Sequence, residues 1–139
     1  MRIYRGKTKE NNEWAYGVPL QKNDNFYIVE DLFLCDEYDC IGTISYNVFG
    51  DSIGQSSTVK DKNGIDMFEG DIVAGALYWL EQLKYGIVTF RNGSFGLLWY
   101  RGGAEQFNPF TSMCNVQYEV VGNIVDNKDF YESEVLTNE

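Results

Sequence analysis

Histidine is absent from this 139-residue chain, and proline and cysteine are scarce, at two and three residues. Without histidine the chain has neither a Ser-His-Asp triad nor a Cys-His pair, and it lacks the imidazole ligands of common zinc sites. Any enzymatic chemistry would therefore have to use carboxylates, lysines, tyrosines or hydroxyl groups.

The few cysteines do not form a metal-binding pattern. Four residues separate Cys35 from Cys40, and Cys114 is distant in the sequence. A four-ligand zinc site would need a carboxylate in addition to these three thiols. We expect packed thiols in a reducing compartment, with a redox pair as the alternative, and no cofactor.

Long hydrophobic runs are also missing. The basic N-terminus is not followed by an apolar stretch of the kind found in secretory signals, and the longest apolar run, residues 72–80, is about half a membrane span. The sequence therefore predicts a soluble cytoplasmic protein without a membrane partner.

Basic residues are outnumbered by acidic ones, 11 to 21, and the net charge of −10 is unevenly distributed. The net charge is +3 over residues 1–22, −7 over 23–59 where no base occurs, −1 over 60–118 and −5 over 119–139. Phosphate binding needs clustered lysine and arginine, so nucleic acid is not an expected partner. A basic or neutral protein fits better, although solubility alone also explains the acidity.

The hydrophobic pattern that is present alternates with period two, and 16% of the residues are aromatic. Asn92 and Gly93, between two apolar runs, predict a type I′ hairpin turn. Residues 126–135 predict a short C-terminal helix, which is most of the little helix that we expect. The predicted strands are residues 2–5, 13–19, 25–30, 41–48, 71–79, 85–91, 94–101 and 117–125.

Glycines near the strand ends are typical of short, strongly bent strands. We therefore predict a mainly β fold with a small SH3-like or related β-barrel in the C-terminal half and an additional N-terminal β lobe. The corresponding division is residues 1–59 for the N-terminal lobe, 60–130 for the barrel and 131–139 for an acidic tail, together forming one compact unit.

The most informative segment is residues 54–73, which predicts two successive turns before a strand. Residues 60–64 form a polar turn in which Asn63 and Gly64 can take a positive φ, and residues 69–71 form a second turn before the strand that starts at Ile72. On this interpretation the segment is structural.

This segment resembles the central signature of the YopX family of phage and prophage proteins. The matching residues are Gly54, Gln55, Lys60, Asp61, Lys62, Asn63, Gly64, Glu69, Gly70, Asp71, Ile72 and Val73. The start of the chain, Arg5-Gly6-Lys7 and Glu13-Trp14-Ala15-Tyr16-Gly17, is similar to the family's opening. Residues 118–124, with Gly122 and Asn123, are similar to its close. The chain departs from the family pattern at Ser56, Thr58, Asp66 and Lys128.

The resemblance implies a phage or prophage origin and a mainly β fold, but no particular reaction. We expect a non-enzymatic accessory protein that acts in the host cytoplasm by binding a host or phage protein. Formation of a homo-oligomer is compatible with this expectation. One sharper version is an acidic DNA mimic or inhibitor of a host nucleic-acid-binding protein. The family-motif residues singled out, with no role assigned, are Gln55, Lys60, Asp61, Asn63, Gly64, Glu69, Gly70, Asp71, Gly122 and Asn123.

Two alternatives come from other classes of function. Asp61, Asp66, Glu69 and Asp71 lie within eleven residues, and such carboxylates could hold a divalent cation in an enzyme acting on nucleic acid. Aromatic residues could instead stack on single-stranded nucleic acid, although few basic residues are interleaved with them. These aromatic residues are Trp14, Tyr16, Trp79, Trp99 and Tyr100.

Overall fold

The computed structural model describes residues 3–35, 40–77, 82–110 and 118–136, and eleven strands lie within these ranges. The first five are β1 (Tyr4–Lys7), β2 (Trp14–Lys22), β3 (Asn25–Cys35), β4 (Cys40–Val48) and β5 (Gly54–Lys60). The next six are β6 (Asp66–Phe68), β7 (Asp71–Leu77), β8 (Gln82–Arg91), β9 (Ser94–Arg101), β10 (Ala104–Pro109) and β11 (Tyr118–Asn123). The prediction of a mainly β fold is confirmed.

Helical structure is confined to short segments in the described part of the chain. A 3-10 turn covers Gly50–Ser52, and α1 (Lys128–Phe130) continues as a π-helical turn over Tyr131–Val135. Within the described ranges, no helix combines the length and the apolar character that crossing a bilayer requires.

The chain divides into two compact units after Ser56. In the first unit, β4, β3, β2, β1 and the first residues of β5 are antiparallel neighbours in that order. Ala15, Ile28 and Val48 form its buried core. A Cβ atom at Gly6 would lie 3.0 Å from side-chain atoms of Ile28 and Val48, so glycine lets β1 lie close to this core.

The longest strand of this unit, β3, contains a β-bulge. The pairing between β3 and β4 shifts between Val29 and Asp31, which leaves Glu30 without a cross-strand partner. A bulge bends its strand and changes the direction of the side chain at that position. This bulge was not predicted from the sequence.

The second unit contains an antiparallel sheet of five strands in the order β10-β9-β8-β7-β11. Arg91 pairs with Ser94 across the turn between β8 and β9. Asn92 and Gly93 have φ angles of 54° and 83°, so the predicted type I′ hairpin is confirmed.

Both faces of this sheet bury apolar side chains, because successive residues of a strand point to opposite faces. Val73, Val88 and Leu97 pack in one cluster with Met67 and Tyr118. The other cluster contains Ile72 and Ile87, packed with the C-terminal helical segment through Val135, which is fully buried.

The predicted barrel in the C-terminal half is not formed by the described strands. β10 and β11 end the sheet at opposite edges, so it is open. The glycines that suggested bent strands have other roles. Gly93 and Gly103 occupy turns with positive φ, whereas Gly86 lets the Leu97 side chain pack closely from the neighbouring strand.

Gly64 offers a test of the first predicted turn. The φ of Gly64 is 79°, as predicted, whereas Asn63 does not take a positive φ. A Cβ atom at Gly64 would meet nothing within 4 Å, so a substitution would act through the backbone. We expect Gly64→Val to lower the free energy of unfolding by about 1–2 kcal/mol or more, measured by urea or thermal unfolding. Gly64→Asn is the control, because asparagine tolerates this backbone region better. Equal losses in the two variants would contradict the explanation.

Candidate functional site

The central family motif builds its first turn around a buried carboxylate. Asp61 is only 2% exposed, and its Oδ1 atom accepts hydrogen bonds from the backbone N–H groups of Asn63 and Ile65 at 2.8 and 2.9 Å. Its Oδ2 atom accepts one from the Val120 N–H on β11 at 3.0 Å. Asp61 therefore connects the turn to a strand 59 residues away.

The second turn of the motif has a similar arrangement. Asp71, also 2% exposed, accepts a hydrogen bond from the Phe68 N–H at 2.8 Å. Gly70 has a φ of 94°, and its N–H donates to the Val88 carbonyl while its own carbonyl accepts from Ile124 N–H. These contacts fix the start of β7 against the sheet.

The closing motif forms a third polar turn. Asn123 Oδ1 accepts hydrogen bonds from the Val125 and Asp126 N–H groups, and its Nδ2 donates to the Asp126 carboxylate. The Asn127 side chain precedes α1 but accepts from Asn123 N–H, so it does not cap the helix. A Cβ atom at Gly122 would lie 2.5 Å from Asn127 Oδ1.

Three further motif residues, Lys60, Lys62 and Gln55, lie on or near the surface. The Lys60 ammonium is 2.7 Å from Asp66, and the Lys62 ammonium is 3.4 Å from Glu119, in exposed pairs that contribute little to stability. Gln55 is half-buried in β5, opposite Tyr4. Most of the motif residues described above thus stabilise turns or strand contacts.

The four acidic residues considered as a cation site have different environments. Asp61 and Asp71 are buried against backbone N–H groups, Asp66 is paired with Lys60, and Glu69 is exposed in the second turn. Among the residues that the structure describes, no three side chains of histidine, cysteine, aspartate or glutamate come together to hold a metal ion.

The five aromatic residues considered as stacking groups are also in different environments. Trp99 is 6% exposed in the second unit, and the adjacent Tyr100 packs against the other face of the same sheet. Trp79, like Cys114, lies outside the described residues. Trp14 and Tyr16, both half-buried on β2, remain as accessible aromatic groups of the first unit.

These two aromatic residues line a cavity of about 320 Å³, here called the β2 pocket. Its wall also includes Glu13, Glu30 and Tyr46. Glu13 lies at the end of the β1–β2 turn, where its backbone N–H donates to the Thr8 hydroxyl at 3.1 Å. Glu30 is the residue at the bulge of β3.

The two carboxylates of the β2 pocket act on its tyrosine. A hydrogen bond from the Tyr46 hydroxyl to Glu30 raises the pKa of Tyr46 above its usual value of 10.0, and the negative charges of Glu30 and Glu13 raise it further. The phenol is the hydrogen-bond donor of this pair, and the Glu30 carboxylate is the acceptor. The charged groups on the pocket wall are both acidic.

The ring of Trp14 contacts cations of the chain itself. The Arg5 guanidinium lies 4.3 Å from the ring centroid, and the Lys7 ammonium lies 5.0 Å from it. Such distances are typical of cation–π contacts. All three residues belong to the stretch that resembles the opening of the family signature.

Glu30 and Tyr46 were not singled out from the sequence. They are sixteen positions apart and become neighbours only because β3 and β4 pair across the bulge. Glu13 was part of the opening motif, but its turn position alone did not indicate a pocket. The strand pairing supplies the missing information.

A second surface feature of the first unit is apolar. We call it the hairpin surface, and it is formed by the ends of β3 and β4 beyond the bulge. Its side chains are 42 to 76% exposed, and Leu34 and Ile41, the two most exposed, lie opposite each other across the strands. The side chains of the hairpin surface are Leu32, Leu34 and Ile41 on one face of the two strands, and Phe33 and Ile44 on the other.

Asp61 provides a test of the structural interpretation of the motif. We expect Asp61→Asn to lower the free energy of unfolding by about 1–3 kcal/mol, because the amide nitrogen would meet a backbone donor where the carboxylate accepts. Asp66→Asn is the control and should cost less than about 1 kcal/mol, since it removes an exposed ion pair. Equal unfolding curves for the two variants would contradict this interpretation.

Comparison with known proteins agrees with the resemblance seen in the sequence. No curated protein sequence matches the chain. The crystal structure of protein EF1440 from Enterococcus faecalis is similar, with a TM-score of 0.58 and 19% identity over 94% of this chain and 97% of that chain. This likeness shows a shared fold. The family described as YopX protein matches residues 3–132, and the chain therefore belongs to the YopX family.

Proposed function

We propose that this protein is a non-enzymatic phage or prophage accessory protein that binds a protein in the host cytoplasm through the hairpin surface. The observation that supports this function is the exposure of five large apolar side chains at one end of a single hairpin. Three of them, Leu32, Leu34 and Ile41, share one face of the hairpin, and neighbouring exposed apolar side chains are typical of protein interaction sites.

The position of β4 also suits protein binding. It is the last strand of its sheet, and among the described strands it pairs with β3 alone over residues 40–46. An unpaired strand edge can accept a further strand from a partner. The apolar side chains beside this edge would then provide the specificity of the contact.

The charge near the hairpin surface defines the partner. Residues 23–59 have seven acids and no base, and Glu30 and Asp31 lie beside the apolar side chains. We assign the hairpin surface to a partner with an apolar patch surrounded by lysine and arginine, because opposite charges favour association. A second copy of this chain would bring the same acidic residues together, and nucleic acid or an anionic membrane would be repelled.

A capture experiment with matched variants tests this proposal. Wild type, Leu34→Gln and Val121→Gln would each be used to capture proteins from a host extract. Val121 is the control because it is exposed, at 45%, but lies on β11 of the second unit. We expect a basic protein bound by wild type and Val121→Gln to be lost with Leu34→Gln, and its affinity to fall as salt is raised.

Three results would contradict the proposal. The captured proteins could be the same for all three baits, or acidic, or bound with an affinity independent of salt. A stable dimer of wild type that Leu34→Gln dissociates, seen by light scattering, would assign the surface to a second copy instead. Unchanged melting temperatures would show that the variants are folded.

The absence of enzymatic activity is tested separately. Asp61 and Asp71 are already used by backbone N–H groups, so we expect Mg²⁺ and Mn²⁺ neither to raise the melting temperature nor to support hydrolysis of DNA, RNA or nucleotides. Hydrolysis that is lost in the double variant Asp66→Asn, Glu69→Gln would establish the metal-dependent alternative. Nuclease assays and thermal unfolding with each ion provide the measurement.

A further inference from the structure

We infer that the β2 pocket binds the cationic end of a lysine or arginine side chain. The inference rests on the proposed function, because it assigns this side chain to the partner protein. It deepens that function by naming the chemical group that the first unit recognises in addition to apolar surface.

The size of the β2 pocket suits one extended side chain. Its volume of about 320 Å³ is at the lower end of the range for small-ligand sites, about 300–1,000 Å³. The buried Ala15 lies at its wall, where a small side chain leaves room. Tyr46 supplies aromatic surface for the alkyl part of a ligand.

The charge of the pocket selects a cation. Glu13 and Glu30 are acceptors with negative charge, and each can take hydrogen bonds from an ammonium or a guanidinium group. An anionic ligand would be repelled by the same two carboxylates. A neutral ligand of the same length would bind more weakly, because it would bring no positive charge to the Glu13 and Glu30 carboxylates.

The two cationic side chains over the Trp14 ring indicate which groups of the pocket contact the positive charge of the ligand. Arg5 and Lys7 lie over the Trp14 ring, so this ring already makes cation–π contacts within the chain. We therefore assign the charge of the ligand to Glu30 and Glu13 rather than to Trp14. The Tyr46 hydroxyl holds the Glu30 carboxylate in position.

Titration with small probes tests the pocket without the partner protein. The probes are N-acetyl-lysine methylamide, N-acetyl-arginine methylamide and the neutral N-acetyl-norleucine methylamide, followed by two-dimensional NMR of the full chain. We expect one or both cationic probes to shift the amide signals of Glu13, Tyr16, Glu30 and Tyr46, with a dissociation constant of about 1 mM. The norleucine probe should leave these signals unchanged.

Matched carboxylate variants identify the groups that bind the charge. We expect Glu30→Gln and Glu13→Gln each to weaken binding of the cationic probe at least about fivefold, because each removes a charge-assisted hydrogen bond. Asp51→Asn is the control, since Asp51 is an exposed acid of the same unit that does not line the pocket. The relative shifts by the lysine and arginine probes decide between the two side chains.

The inference would be overturned if neither cationic probe shifts these signals, if norleucine binds as well, or if Asp51→Asn weakens binding as much as the pocket variants. Leu34→Gln distinguishes the pocket from the hairpin surface. That variant should bind the probes normally while losing the partner. In the wild type, absence of probe binding together with capture of a basic partner would overturn the pocket alone. Probe binding together with partner capture that Leu34→Gln does not reduce would overturn only the hairpin surface.

Discussion

The carboxylate of Asp61 connects parts of the second unit that are far apart in the sequence. A carboxylate has two oxygen atoms with several acceptor positions, and here three backbone N–H groups use them. Two of the donors belong to the tight turn, and the third belongs to β11. Without this acceptor, the donors would be left unsatisfied in a buried environment, which is costly.

The rest of the motif follows from that constraint. Gly64 lets the chain turn back so that Ile65 N–H reaches Asp61, and the backbone then continues through β6 to Asp71. The buried carboxylates of this motif thus hold together turns and strands of the second unit. This structural role explains why the most recognisable part of the sequence does not by itself indicate a ligand, whereas the less prominent opening stretch lines the β2 pocket.

The turns were predictable from the sequence because they depend on local chemistry. The pairing of distant strands was not predictable. The Asn92-Gly93 turn and the conformation of Gly64 depend on neighbouring residues, and both were predicted correctly. β5 and β10 have mainly polar sequences without a strong apolar alternation, so they were missed. The open sheet and the proximity of Glu30 to Tyr46 depend on strand register, which a pattern of glycines does not contain.

The segments of β3 and β4 that carry the hairpin surface are paired only with each other among the described strands, and this affects their dynamics. In the described structure β2 pairs with β3 over residues 25–29, so beyond the bulge β3 is paired with β4 alone. A two-stranded ribbon is marginally stable in water, and its amide hydrogens exchange with solvent faster than those of a central strand. A partner that adds a strand or covers the apolar side chains would slow this exchange. Part of the binding free energy would then be used to order the ribbon, and the complex would form with a lower affinity than its contact area suggests.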